Sequence, residues 1–145
     1  MDKEKIINDS LVYLFNEILD LEENAIITEE FKDISNNDMH IIEAVGINGG
    51  NMSAIASKLN ITVGSLTTSM NALVKKGYVK RQRSEEDRRV VFICLTQKGM
   101  KAYEHHEEFH KKMTQAVLDG FSKEEAEMIG QILEKLTVFF HQYKK

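Results

Sequence analysis

The chain has 145 residues, 42% of them apolar and 29% charged, with a formal net charge of −4. This is the profile of one soluble domain large enough to bury a core. No apolar run approaches the ~20 residues of a membrane span, and Met1-Asp2-Lys3-Glu4-Lys5 lacks a signal-peptide stretch, so a cytoplasmic location without a membrane partner is expected. The single cysteine, Cys94, excludes an internal disulfide and a Cys-based zinc cluster, and within Val90–Leu95 it reads as a small apolar filler.

Apolar residues at Ile7, Leu11, Leu14, Phe15, Ile18 and Leu21 have helical spacing and predict a first helix over about Lys3 to Ile26. Asn36 or Asn37 can cap a second helix running from Asp38 to about Gly46, with Ile41, Ile42 and Val45 inward. Asn48-Gly49-Gly50-Asn51 breaks it, and Asn51 caps a third helix beginning at Met52. Thr62 caps a fourth, which Gly77 ends in a left-handed conformation. On this fourth helix Val63, Leu66, Met70, Leu73 and Val74 share an apolar face, while Ser65, Thr68, Asn71, Ala72 and Lys75 lie opposite. That outer face is small and polar enough to enter a major groove.

Tyr78–Arg83 and Val90–Thr96 read as two strands around the turn Ser84-Glu85-Glu86-Asp87. A long helix runs from Thr96 to about Asp119 and ends at Gly120; Ser122 and Glu125 form a capping box for the last helix, which carries Ile129, Ile132, Leu136, Phe139 and Tyr143. The long helices at both ends carry more apolar surface than one small unit can hide, and a two-fold dimer is the simplest way to cover it.

Charge is strongly segregated. From Lys75 to Arg89 seven basic residues face three acids, a net of +4, which leaves −8 on the rest of the chain. An anion-binding face on an acidic body follows. No nucleophile–base–acid set, serine-nucleophile motif or glycine-rich phosphate loop occurs, so the chain is not expected to be an enzyme.

Two linked helices feeding a basic hairpin, the segment Ser84-Glu85-Glu86-Asp87-Arg88-Arg89 with its Asp-x-Arg, and Thr96-Gln97-Lys98-Gly99 opening the next helix resemble the MarR family of transcription regulators. Within it, Phe31-Lys32-Asp33-Ile34-Ser35, Ile61–Ser69, Lys76-Gly77-Tyr78, Phe109-His110-Lys111 and Leu118-Asp119-Gly120 are most similar to the FabT-type repressors of fatty-acid synthesis. The implied fold is mainly α with a small β-wing. It is one domain over 1–145, with a winged helix-turn-helix DNA-binding lobe at 36–96 and dimerisation helices in 1–35 and 97–145. Implied partners are palindromic double-stranded operator DNA, a second copy of the chain and an acyl carrier protein.

The resemblance gives the wing its roles: Asp87 orients Arg89 or Arg88, one of which enters the minor groove, where A·T-rich sequence deepens the negative potential. Lys80, Arg81 and Arg83 meet phosphates. Lys75 adds positive charge at the end of the helix, and Ser65, Thr67, Thr68 and Asn71 read bases, Asn71 by pairing with adenine. A long-chain acyl group is implied as corepressor, with Ile18, Phe31, Met39, Ile42, Phe109 and Met113 as lining, although a Met and Phe stripe at this spacing is more often plain core. No cofactor is required.

Two alternatives stand beside this one. His106 and His110 are four apart on an inward stripe, and with His40 they resemble the ligands of a zinc-sensing MarR branch, a carboxylate such as Glu22 or Glu23 completing the set. A winged helix that binds only protein is the other, and such domains often lose the basic wing that is kept here.

Overall fold

A computed structural model describes residues 2–26, 28 and 30–143. They form α1 (Lys3–Asp9), a π-helical turn (Ser10–Leu14), α2 (Phe15–Ile26), α3 (Asn36–Val45), β1 (Gly50–Asn51), α4 (Met52–Leu59), α5 (Val63–Lys76), β2 (Val79–Arg83), β3 (Val91–Leu95), α6 (Gln97–Asp119) and α7 (Lys123–Tyr143). The chain divides into two compact units, residues 1–107 and 108–145, the division falling within α6.

The caps explain most of the boundaries in the first unit. Asp2 accepts from Glu4 N and starts α1. Asn51 accepts from Ala54 N at 2.8 Å, and Thr62 from Ser65 N at 3.1 Å, satisfying first-turn N–H groups that the helices cannot pair themselves. The cap of α3 differs from expectation. Ser35, not Asn36 or Asn37, accepts from Asp38 N, and the Asp38 carboxylate reaches back to Ser35 N at 3.1 Å. This reciprocal box outcompetes a lone asparagine because it satisfies two donors at once. Gly77, with φ +88°, closes α5 in the left-handed region.

The sheet is antiparallel in the order β1-β3-β2, with Val79 opposite Leu95, Arg83 opposite Val91, and Gly50 opposite Ile93. Strand β1 is two residues long and has no periodicity for sequence reasoning to detect. Gly49 beside it approaches the Ile93 carbonyl so closely that a Cβ would strike it. The core joins Met39, Ile42 and Val45 of α3, Ile55 of α4, Leu66, Met70 and Leu73 of α5, and Ile93 of β3. Burying such a side chain contributes about 1.5–3 kcal/mol. Val63, placed by its wheel position on the apolar face of α5, is 44% exposed at the helix tip.

In the second unit, the Ser122–Glu125 capping box opens α7, with bonds of 2.9 and 3.1 Å. None of the residues of α7 is buried within this chain. None of the described helices is long and apolar enough to cross a membrane.

Candidate nucleic-acid interface

Helix α5 buries Leu66, Met70 and Leu73, so its opposite face, with Ser65, Thr67, Thr68, Asn71 and Lys75, stands in solvent as its spacing requires. Local bonds shape what this face offers. The Ser65 hydroxyl accepts from Thr62 Oγ1 at 3.0 Å, and Thr67 donates to Val63 O at 2.8 Å. Both side chains are thereby held near the helix start, with the two hydroxyls and the Thr67 methyl at fixed positions. Asn71 Oδ1 accepts from Arg81 Nη2 of β2. A bidentate pairing of Asn71 with adenine would use that same oxygen as acceptor, so an adenine would have to share it with Arg81 or displace it. Arg81 correspondingly bridges the hairpin to the helix.

The hairpin carries the charge. Lys80, Arg81, Gln82 and Arg83 are all exposed along β2, while Val79 anchors its base in the core. Arg83 Nη1 donates to Arg88 O at 3.0 Å, and Ser84 N to Val90 O at 3.0 Å, so Arg83, expected to meet phosphates, also stiffens the loop. Arg88 is exposed beside it.

At the tip, Asp87 Oδ1 accepts from Arg89 N at 3.0 Å and Nε at 3.1 Å, while Oδ2 accepts from Nη2 at 3.3 Å. The hydrogen bonds from Arg89 hold the Asp87 carboxyl below its ordinary pKa of 3.8. The guanidinium side chain is 91% exposed, so the pair fixes its direction without hiding it. Of the two arginines, Arg89 is the one that Asp87 orients.

Not every cation of this region points outward. Lys76 Nζ donates to Asp38 Oδ2 at 2.7 Å and to Asp33 O at 2.8 Å. Tyr78, fully buried, donates to Asp33 Oδ1 at 2.5 Å. Sequence reasoning did not find this network. Its only signal was Ser35-x-x-Asp38, hidden by the neighbouring asparagines.

The other candidates are spread along the chain. Phe31, Met39 and Ile42 are buried in the first unit and Ile18 is half-buried; the Phe31 ring lies 5.6 Å from that of His105. Phe109 and Met113 are half-buried on the part of α6 that belongs to the second unit. His106 is buried, with Glu22 Oε1 3.4 Å and Glu43 Oε2 3.7 Å from its Nε2. His110 follows one turn later on α6, and His40 is exposed on α3. Of the two carboxylates Glu22 and Glu23, it is Glu22 that lies beside His106.

A family model described as transcriptional regulator SarA/Rot matches residues 19–106. The HTH-type transcriptional regulator PchR of Bacillus subtilis is 30% identical over 115 residues, covering 75% of this chain and 68% of that protein. The crystal structure of Streptococcus pneumoniae FabT in complex with DNA matches with a TM-score of 0.91 and 40% identity, over 98% of this chain and 100% of that one. A zinc-responsive MarR family member, Lactococcus lactis ZitR, matches with a TM-score of 0.64 and 25% identity, over 92% of this chain and 99% of that one.

Proposed function

The chain belongs to the SarA/Rot family of transcription regulators, on a MarR-type winged helix, and from that premise we propose that it is a repressor that binds a palindromic operator as a homodimer and governs fatty-acid synthesis genes. It is a regulator rather than an enzyme. The observation that carries the DNA-binding reading is the Asp87–Arg89 clamp, which holds an exposed guanidinium at the hairpin tip of a molecule whose α5 presents a small polar face.

In this proposal α5 enters the major groove with Ser65, Thr67, Thr68 and Asn71 toward base edges. Arg89 reaches the adjoining minor groove, and Lys75, Lys80, Arg81, Arg83 and Arg88 supply the phosphate attraction that makes affinity salt-dependent. Two copies place two such helices about 34 Å apart, one turn of duplex. The fatty-acid regulon is supported by the likeness to FabT over nearly the whole chain.

A long-chain acyl-acyl carrier protein is the corepressor of this reading. The ligand raises DNA affinity only by favouring the arrangement in which both α5 helices match their grooves. Ile18, Phe31, Met39 and Ile42 of the first unit are the apolar side chains assigned to the acyl chain. Anisotropy titration of promoter duplexes from fatty-acid synthesis genes, with and without long-chain acyl carrier protein, tests both levels. Tighter binding with the acylated protein is expected. Operator binding that ignores every chain length sinks the corepressor, and binding no stronger than to shuffled duplex sinks the regulon.

A second reading, zinc sensing, is favoured by the buried His106 between two carboxylates and by the likeness to ZitR. One imidazole and the carboxylates of Glu22 and Glu43 are donor types that suit zinc, and His110 follows one turn later on α6; His40 lies exposed on α3. Zinc would supply a charge that draws these ligands together. Zinc titration by calorimetry on the wild type and on His106→Ala distinguishes a bound ion from a hydrogen-bonded core histidine.

A further inference from the structure

The C-terminal end of α5 is held from three sides. From the α2–α3 connection, Asp33 accepts the Tyr78 hydroxyl at 2.5 Å and, through its carbonyl, Lys76 Nζ at 2.8 Å. From the first turn of α3, Asp38 accepts Lys76 Nζ at 2.7 Å while its place is fixed by the box with Ser35. From the first turn of α6, Lys98 Nζ donates to Lys76 O at 3.3 Å and lies 4.4 Å from the Tyr78 ring centre. The N-terminal end of the same helix, with exposed Val63 and Ser65, is held by its Thr62 cap and by the buried Leu66, with no comparable side-chain bond from another element among the described residues.

Packing of Leu66, Met70 and Leu73 seats α5 on the core, and the directional bonds at its C-terminal end set its tilt. With fourteen residues α5 is about 21 Å long, so a tilt of about 10° about that end moves the other by about 3.5 Å. That is more than a base-edge hydrogen bond tolerates. Phosphate attraction falls off far more gently with distance. The Asp38 side chain is 8% exposed and that of Lys76 33%, so this pair is less screened than the exposed pairs of the wing.

We infer that Asp33 and Asp38 clasp the end of α5 through Lys76 and Tyr78, and that these four are positioning residues for sequence-specific DNA reading. Lys76 is thus a cation of the basic stretch that faces its own protein and not the phosphate backbone. The inference rests on the DNA-binding reading proposed above: a wild-type protein with no affinity for any duplex sinks that reading, whereas the clasp is judged by its variants.

The experiment measures affinity of the full chain for operator and for random-sequence duplex across a range of salt, for Lys76→Met, Lys76→Arg, Tyr78→Phe and Asp33→Asn. Lys76→Met is expected to weaken operator binding at least tenfold, leave random-duplex binding within twofold and leave the salt slope unchanged. Lys76→Arg, which keeps the charge, is expected to recover to within threefold of wild type. If both duplexes weaken together and the slope drops by about 0.9, Lys76 is a phosphate contact and the inference is overturned. Unchanged operator affinity overturns it as well. Should Lys76→Met unfold, Tyr78→Phe and Asp33→Asn decide, since the first keeps the buried ring and the second alters an exposed carboxylate. Each is expected to lose at least threefold on operator alone, and wild-type affinity in both ends the proposal.

Discussion

Arg89 shows what one residue can and cannot reveal. Its charge and the Asp two places before it are visible in sequence, but the choice between Arg88 and Arg89 needed the observed bidentate geometry. Removing a guanidinium that inserts into a groove costs contact and counterion release together. Arg89→Ala is therefore expected to weaken operator binding at least tenfold in an anisotropy titration, with the melting temperature unchanged because the side chain is in solvent. Asn71 is subtler: adenine must share or displace Arg81, so Asn71→Ala and Arg81→Ala are expected to be non-additive in operator affinity.

Tyr78 gives a pH signature. Burial first, then its bond to Asp33, raises the phenol well above its ordinary value of 10.0. A raised folded pKa contributes stability that is present below the unfolded value and lost as pH rises through the folded one. Thermal melts of wild type and Tyr78→Phe should then differ at pH 7 and converge progressively above about pH 10. Asp33 works in the opposite direction. Its carboxyl is lowered, chiefly by the Tyr78 hydroxyl, so its contribution is present above 3.8 and fades as acid protonates the folded form. A stability difference that stays constant from pH 7 to 11 contradicts the Tyr78 assignment.

At the scale of elements, the helices and the two hairpin strands were legible and the two-residue β1 was not. The caps Asn51, Thr62 and Ser122, and the ends at Gly77 and Gly120, follow from residue type at fixed spacing, because capping is a local interaction. The cap of α3 was misplaced by one or two residues because Ser35 and two asparagines all suit the role, and only the Asp38 carboxylate decides among them. The first long helix has its expected limits but contains the π-helical turn at Ser10–Leu14, for which its apolar spacing gave no sign.

Gly99 belongs to this scale. It looked like an ordinary member of a helix start, yet a Cβ there would run into the Tyr78 carbonyl, so the glycine lets α6 pack on the backbone that ends α5. Gly99→Ala is expected to destabilise by about 1–3 kcal/mol, as overpacking does, measured by urea unfolding. A neutral result would mean that this helix start shifts freely.

For the whole molecule, the open question is what covers the apolar surface. Ile6, Ile7, Tyr13, Leu14, Phe15 and Leu19 are exposed along α1, the π turn and α2, and Ile132, Leu133, Phe139 and Phe140 are exposed on α7. A helix such as α7 with no buried residue draws little stability from its own chain. A second copy is the expected cover. Phe139→Glu is expected to shift the protein from dimer toward monomer in sedimentation, and to weaken operator binding because a monomer reaches only one half-site. A dimer that survives this change with full affinity removes α7 from the interface.

The sequence by itself determined the order of elements, the polar face of α5 and the charged hairpin, since periodicity, capping and charge are properties of neighbours along the chain. It carried enough local pattern to place the chain in its family. Only the tertiary structure decided which cations face outward. Arg89 stands in solvent, while Lys76, from the same basic stretch, turns back to Asp38, thirty-eight residues away. The third strand, the clearance at Gly99 and the clasp on α5 likewise join segments remote in sequence, and a distance closed by folding leaves no spacing to read.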